Sequence, residues 1–428
     1  MKFNRLGALL LIITLIMITA IGCSTKSKPV MVNAEITVLM ADQGTSSLGL
    51  QVKQLFEKSK TYVEEKNPGL TVNIVVVPYQ QYNDKIIELS PDVIWINPSD
   101  LDRLDRDEKV YDLRPLIESE GIDLERYFPP NIIQMNTSGE KLLGVTVAAY
   151  NVVVGYSKEW FDNAGLDYPT TEWTWTDFEN AAVRLKSANG ADSNKKYGAI
   201  IPLYPEVIET IAMSKGSGFL SPDGTTATGY LNSPQTIETV QWLKKLYSDG
   251  IIPDYMDAPP SLLGTQTGMI MGISPFINEL VNNDPKYGMI NLPNAEDGTK
   301  VSAPYITSFA ITSTSEHPRE AWTYISAVTL EDNPITREAF QMGLSISGVV
   351  FENINESLNP TMVVEFNQLS YAQKRSSMKS PIWGEVLGRY TSEFKYMIVL
   401  EQEIETTLTS MSAGVDEMLA NARLKEDQ

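Results

Sequence analysis

Residues 142–185 read LLGVTVAAYNVVVGYSKEWFDNAGLDYPTTEWTWTDFENAAVRL. The stretch opens with a β-rich run at 142–147 and breaks at Ala149-Tyr150-Asn151. A second strand then resumes at 152–156 before any helix begins. Two strands thus flank a short polar-aromatic break. A one-to-two-turn helix is expected over 159–164, stopped by Gly165, and an extended, turn-rich segment over 166–174. Thr176 with Glu179 fits a capping box for the next helix. Phe178, Ala181, Ala182 and Leu185 recur at helical spacing, so one of its faces is expected to be buried.

Upstream, residues 35–41 read as a first strand and 42–49 as a polar loop. Val52, Leu55, Phe56 and Val63 mark a helix that Asn67-Pro68-Gly69 stops, and 70–77 is a second strand. Strand, helix, strand in this order predicts a parallel pair with a right-handed crossover. A third strand is read at 92–96, and the charge-dense 101–109 as a solvated helix. Downstream come a strand in 196–201, a helix over 206–214, and a helix capped by Ser233 with Pro234 at its first position. A further strand at 269–272 leads into Ser274-Pro275-Phe276, and helices begin near Pro318 and close the chain.

Several of these segments, in order, resemble the extracellular solute-binding proteins of ABC importers, in particular their carbohydrate-binding branch. Gly155-Tyr156-Ser157-Lys158 stands where that family has a strand entering its second lobe, and Phe161 with Ala164-Gly165-Leu166 is similar to its "F..AGL". Pro169 with the run from Trp173 to Phe178 is similar to its "P.TWdeF", and Pro91-Asp92-Val93 to its "PDV". The resemblance implies an α/β, two-lobed periplasmic-binding-protein-like fold, with a hinge of crossing strands and a ligand cleft between lobes. The expected division is a leader at 1–22, an acylated cysteine and polar tether at 23–34, a first lobe of 35–148 and 308–347, and a second lobe of 149–307 and 348–428.

The leader is read from the residues themselves. Lys2 and Arg5 precede an apolar run from Leu6 to Ile21, and Ala20-Ile21-Gly22-Cys23 places small residues before a cysteine. This resembles a bacterial lipobox, which implies diacylated Cys23 as the mature N-terminus, on the outer face of the cell membrane. Cys23 is the single cysteine, so the mature domain is expected to have no disulfide and no thiol chemistry.

The net charge is −20, and two units more negative without Lys2 and Arg5, which disfavours nucleic acid and anionic lipid as partners. The single histidine, His317, precedes a proline and is read at the start of a surface helix, which leaves a Ser-His-Asp triad unsupported, and one histidine makes no multi-histidine metal site; no phosphate loop and no EF-hand pattern is present. No enzyme activity, cofactor or metal is expected.

Ligands of α/β domains collect beyond the C-terminal ends of strands. Asp42, Gln43 and Thr45 follow the first strand, Tyr79 the second, and Trp95 and Asn97 end the third. Tyr150 and Asn151 fall at the first hinge that the resemblance implies, and Tyr305 and Thr307 at the second. The resemblance adds Ser274 and Phe276, where relatives often carry a tryptophan, and Trp383, where relatives carry a stacking aromatic. Trp160, Trp173, Trp175, Trp242 and Trp322 are read as packing residues. The expected function is capture of a mono- or oligosaccharide by lobe closure and delivery to an ABC permease, by a monomer. A ligand-presenting sensor subunit for a membrane kinase and a polysaccharide-active enzyme stay open as alternatives.

Overall fold

Strand β1 (Ala34–Ala41) is apolar on both faces because it lies inside a sheet: Val38 and Met40 enter one core, Leu39 and Ala41 the other. The computed structural model describes residues 33–426 except 43, 45, 191–195, 257, 345, 355–359 and 381. Cys23, the leader, Gln43 and Thr45 therefore lie outside the described residues. β2 (Leu70–Val77) runs parallel to β1 in the register Ala34↔Leu70 to Ala41↔Val77, and β3 (Val93–Ile96) flanks β1 on its other side. The helix Ser47–Lys66, capped by Ser46, covers one face of the sheet with Val52, Leu55, Phe56 and Val63; Tyr82, Leu101 and Leu104 of two shorter helices cover the other.

After a two-strand ribbon of β4 (Thr137–Ser138) and β5 (Lys141–Leu142), β6 (Val145–Tyr150) forms one edge of this first sheet. The strand expected over 142–147 is thus two pieces, split where the chain turns from the ribbon into the sheet. β7 (Val152–Ser157) starts one residue later but belongs to a second sheet. That sheet also holds β8 (Tyr197–Ile200), β9 (Thr267–Ile273) and β10 (Tyr287–Asn291), in the order β10-β7-β9-β8. Val152 and Val154 of β7 face a core closed by helices that include Trp383–Val399 and Ile404–Glu426; Val153 faces the helix Ser274–Asn283. β11 (Tyr305–Ile311) then returns to the first sheet, antiparallel between β3 and β6, giving β2-β1-β3-β11-β6. The result is two α/β lobes joined by three passages of the chain.

Local chemistry sets the helix boundaries. Gly165 closes the helix Lys158–Ala164 at φ +60°, a conformation glycine adopts without a Cβ clash. The capping box expected at Thr176 and Glu179 forms two residues earlier. Thr174 N donates to Asp177 Oδ2 at 2.9 Å and Asp177 N donates to Thr174 Oγ1 at 3.3 Å. The helix starts sooner because Thr174 bridges to Asn294, which ends the extended run there; Glu179 instead accepts from Trp242 Nε1 at 2.8 Å and pairs with Lys245. Trp160, Trp173, Trp175 and Trp322 are buried in the cores, and Trp242 packs on Trp175.

Gly198 of β8 lies under the helix Trp175–Gly190, where a Cβ would stand 1.9 Å from the Ala182 carbonyl oxygen. Gly384, near the start of the helix Trp383–Val399, has open space around it. Gly198→Ala is expected to destabilise the protein by about 1–3 kcal/mol, as overpacking against backbone does. Gly384→Ala is expected to stabilise it by roughly 0.5 kcal/mol through loss of unfolded-state freedom. Chemical denaturation of both variants checks the opposite signs.

Candidate functional site

At the first of the three passages the link between the lobes is a single residue. Tyr150 closes β6 opposite Tyr305, the first residue of β11, and Asn151 alone separates Tyr150 from β7. The Asn151 side chain is 1% exposed: Nδ2 donates to Glu365 O at 3.2 Å, Oδ1 accepts from Ser302 Oγ at 2.5 Å, and its carbonyl accepts from Ser274 N at 2.9 Å. One amide therefore ties all three passages to the start of a second-lobe helix. Both ends of it are occupied by the hinge.

Trp95 is placed by a substitution within the sheet. β3 pairs with β1 at only Val38↔Val93 and Leu39↔Ile94. Beyond that point Tyr82 Oη takes the partner's role, accepting from Trp95 N at 2.6 Å and donating to Leu39 O at 3.1 Å. Trp95 is half-buried, its ring 6.3 Å from Phe56, and it shares with Tyr150, Phe56 and Ser59 the lining of a cavity of about 20 Å³. Burial pushes the Tyr150 hydroxyl up to about 12, so it stays a neutral donor and acceptor.

The ring of Tyr305 packs toward the second-lobe core. Arg375 lies over it with its guanidinium 4.3 Å from the ring centroid, while Nη1 donates to Ala303 O at 2.7 Å. Arg375 is 2% exposed, and among the described residues its Nε has no partner. Burial raises the Tyr305 hydroxyl and the Arg375 charge pulls the other way. The segment that carries Arg375 is held by buried Glu209, whose Oε1 accepts from Ser376 Oγ at 2.6 Å and Ser377 N at 3.1 Å and whose Oε2 accepts from Ser377 Oγ. Tyr204, more than a third exposed, caps the same helix as Glu209 at its N-terminus.

Of the residues read from the sequence, Trp95, Tyr150 and Tyr305 come together at the junction, with Thr307 two positions along β11 beside a register shift in the ladder. Asp42 is exposed after β1, accepts from Gly44 N at 3.1 Å, and reaches this group only through Phe56, with which it lines a shallow pocket. Asn97 follows the last residue of β3; Tyr79 is 69% exposed in the turn after β2. Ser274 is buried in the hinge and Phe276 is half-buried on the helix Ser274–Asn283. Trp383 lies in the second-lobe core, 6.2 Å from the Phe219 ring. Arg375 and Tyr204 escaped sequence reading. The available signal was Lys374-Arg375 followed by Lys379, three cations within six residues of an acidic chain.

Glu365 faces the hinge as well. It lines a cavity of about 20 Å³ with Asn151, Gly343 and Phe366, and burial pushes its carboxyl up to about 8, with the Ser274 hydroxyl countering part of that rise.

Comparison with known proteins follows the same outline. The family described as bacterial extracellular solute-binding protein matches residues 44–333. A Brucella abortus chain described as a binding protein is 25% identical over 301 residues, covering 65% of this chain and 69% of that relative. Escherichia coli YcjN, described as the periplasmic-binding protein of an ABC transporter, is 24% identical over 213 residues, 47% of each chain. Among solved structures, the sugar-binding protein MalE of Xanthomonas citri superposes with a TM-score of 0.77 at 16% identity, over 92% of this chain and 99% of that one. An ABC substrate-binding protein of Listeria monocytogenes in complex with cycloalternan gives 0.73 at 19% identity, over 90% and 99%.

Unfolded, a glutamate titrates near about 4.3. Folded Glu365 holds its proton to about 8, so between these values the folded state binds a proton that the unfolded state lacks. The stability associated with Glu365 is therefore complete below about pH 4.3 and is lost as pH rises through about 8. Glu365→Gln, which mimics the protonated form, is expected to match the parent at pH 5 and to unfold a few degrees higher at pH 9. A midpoint difference that stays constant from pH 5 to 9 in thermal unfolding would contradict this.

Proposed function

The chain belongs to the bacterial extracellular solute-binding proteins, and on that premise we propose that it captures a saccharide between its lobes and delivers it to an ABC permease. The observation that carries this reading is the aromatic group at the junction: Trp95 and Tyr150 on the first lobe, and Tyr305 under the Arg375 guanidinium. Sugars present apolar C–H faces rimmed by hydroxyls. Aromatic faces suit the former, and a fixed guanidinium with neutral tyrosine hydroxyls suits the latter. A small solute in contact with groups of both lobes favours the arrangement in which those groups face each other, and that closed form is what a permease would recognise. Micromolar capture corresponds to about −8 kcal/mol, within reach of stacking plus several charge-assisted hydrogen bonds after ordering costs. The other proposed wall residues are Asp42, Asn97 and Tyr204. Among the described residues no helix is long and apolar enough to cross a membrane. The membrane link is assigned to an acyl group on Cys23, with residues 24–32 as tether.

Thermal unfolding of the domain from Ser24 onward, against mono- and oligosaccharides, amino acids and polyamines, tests the ligand class. A saccharide at about 100-fold over its Kd adds roughly 2.7 kcal/mol to the folded state and raises the midpoint. Tyr305→Ala and Arg375→Gln are expected to lose most of that shift. A shift with amino acids or polyamines alone would overturn the saccharide assignment. Separately, Cys23→Ala is expected to abolish labelling by radioactive palmitate in cells and to release the protein from the membrane fraction; retained labelling would contradict the anchor.

A further inference from the structure

The helix Pro360–Gln368 lies between the lobes and shows each of them a different chemistry. Met362 and Phe366 pack with Phe340 of the first-lobe helix Pro334–Gln341, and Leu369, just beyond the helix, enters the first-lobe core. On its other side the helix packs on β10 and on the helix Ser274–Asn283, both of the second lobe. Val364 joins the second-lobe core there, and Glu365 and Gln368 share that side of the helix. Among the described residues, Gln368 Nε2 on the helix and Ser274 Oγ, Asn278 Oδ1 and Asn291 Oδ1 on the two second-lobe elements are buried without a hydrogen-bond partner. The first-lobe contact is apolar and the second-lobe contact leaves polar atoms unpaired, so relative movement costs least at the second.

Glu365 sits in this seam, 7% exposed. A Cβ on Gly343, which follows the helix Pro334–Gln341, would stand 3.7 Å from Glu365 Oε2 and 3.9 Å from Asn278 Nδ2. The carboxyl and a second-lobe amide therefore converge on one bare first-lobe Cα. The Ser274 hydroxyl stands near the carboxyl without a well-formed hydrogen bond to it. The adjoining cavity of about 20 Å³ has room for one water, and its lining holds no other titratable group. The charges of the surrounding elements are engaged elsewhere or exposed. Arg337 pairs with Asp332 and Glu338 with Lys58; Glu279 and Glu352 are exposed; Tyr287 of β10 donates to Leu263 O; and Arg375 is held by Ala303 O over Tyr305. Burial is then the largest influence on the carboxyl, and pushes it up to about 8.

We propose that Glu365 is a proton-operated latch of the hinge: while its carboxyl is neutral the second lobe stays packed against the helix Pro360–Gln368, and once it is ionised the seam parts to admit water and the lobes change their relative arrangement. The device is independent of which solute the protein takes. In the parted arrangement water reaches the carboxyl, which then titrates near about 4.3. In the packed one it keeps its proton to about 8. The packed arrangement therefore holds its full advantage below about pH 4.3, and the ratio of packed to parted molecules falls by about tenfold per pH unit until about pH 8, above which the advantage is gone.

The test needs no solute. The mature chain from Ser24 has no cysteine, so spin labels can be placed on the exposed positions Glu65→Cys of the first lobe and Gln241→Cys of the second, and in a second pair Glu118→Cys with Gln241→Cys. Pulsed electron-spin distance measurements on both pairs are made from pH 5 to pH 9, with circular dichroism at each pH to establish that the chain stays folded. The expected result is a second interlobe distance that grows as pH rises, the ratio of the two populations changing at least about tenfold over the range, while Glu365→Gln keeps the pH 5 distribution throughout. Distance distributions of the parent that stay the same from pH 5 to pH 9 in both pairs overturn the proposal. So does a shift that persists unchanged in Glu365→Gln, which would assign the proton to another group.

Discussion

Everything in this fold depends on the buried amide of Asn151. Two strands of different sheets are joined through that one residue, where three other segments converge and bring buried polar groups that need partners: the Glu365 carbonyl, the Ser302 hydroxyl and the Ser274 amide. The Asn151 side chain and carbonyl supply those partners to Glu365, Ser302 and Ser274. The three links between the lobes therefore meet at one point, and Tyr150 and Tyr305 lie directly beside it.

The two lobes position their side chains by different means. In the first, Trp95 is set by a sheet that runs out of partners, so that the Tyr82 hydroxyl completes what the strand cannot. In the second, a buried carboxylate, Glu209, gathers the hydroxyls and amides of residues 376 and 377 and thereby fixes Arg375 over Tyr305. A fully hydrogen-bonded buried carboxylate is expensive to disturb, which makes that loop a firm support although it has little regular structure.

Much of the architecture was legible in the sequence. The alternation and apolar runs of 35–41, 70–77 and 152–156 mark strands because a strand buried on both faces has few other ways to read. The succession of segments in residues 142–185 resembles that of a two-lobed family, and the chain does form two sheets in two lobes. What was not legible depends on distance along the chain. The Thr174 cap follows from a bridge to Asn294, 120 residues away; the role of Asn151 requires Ser302 and Glu365; and Arg375 comes to lie over Tyr305 only when the segment that carries it folds back onto the strand connection at Ala303. Trp383 illustrates the limit from the other side. An aromatic before a late helix has the same sequence signature whether it faces a cleft or, as here, packs on Phe219.

The central claim is that the lobes pivot about the Asn151 junction to enclose a saccharide. Small-angle X-ray scattering of the mature domain, alone and saturated with the tightest-binding saccharide, addresses it directly. The account predicts a smaller radius of gyration with ligand, and predicts that the change disappears in Tyr305→Ala at a saccharide concentration that saturates the parent. An unchanged radius of gyration at proven saturation would contradict closure as the mechanism of capture.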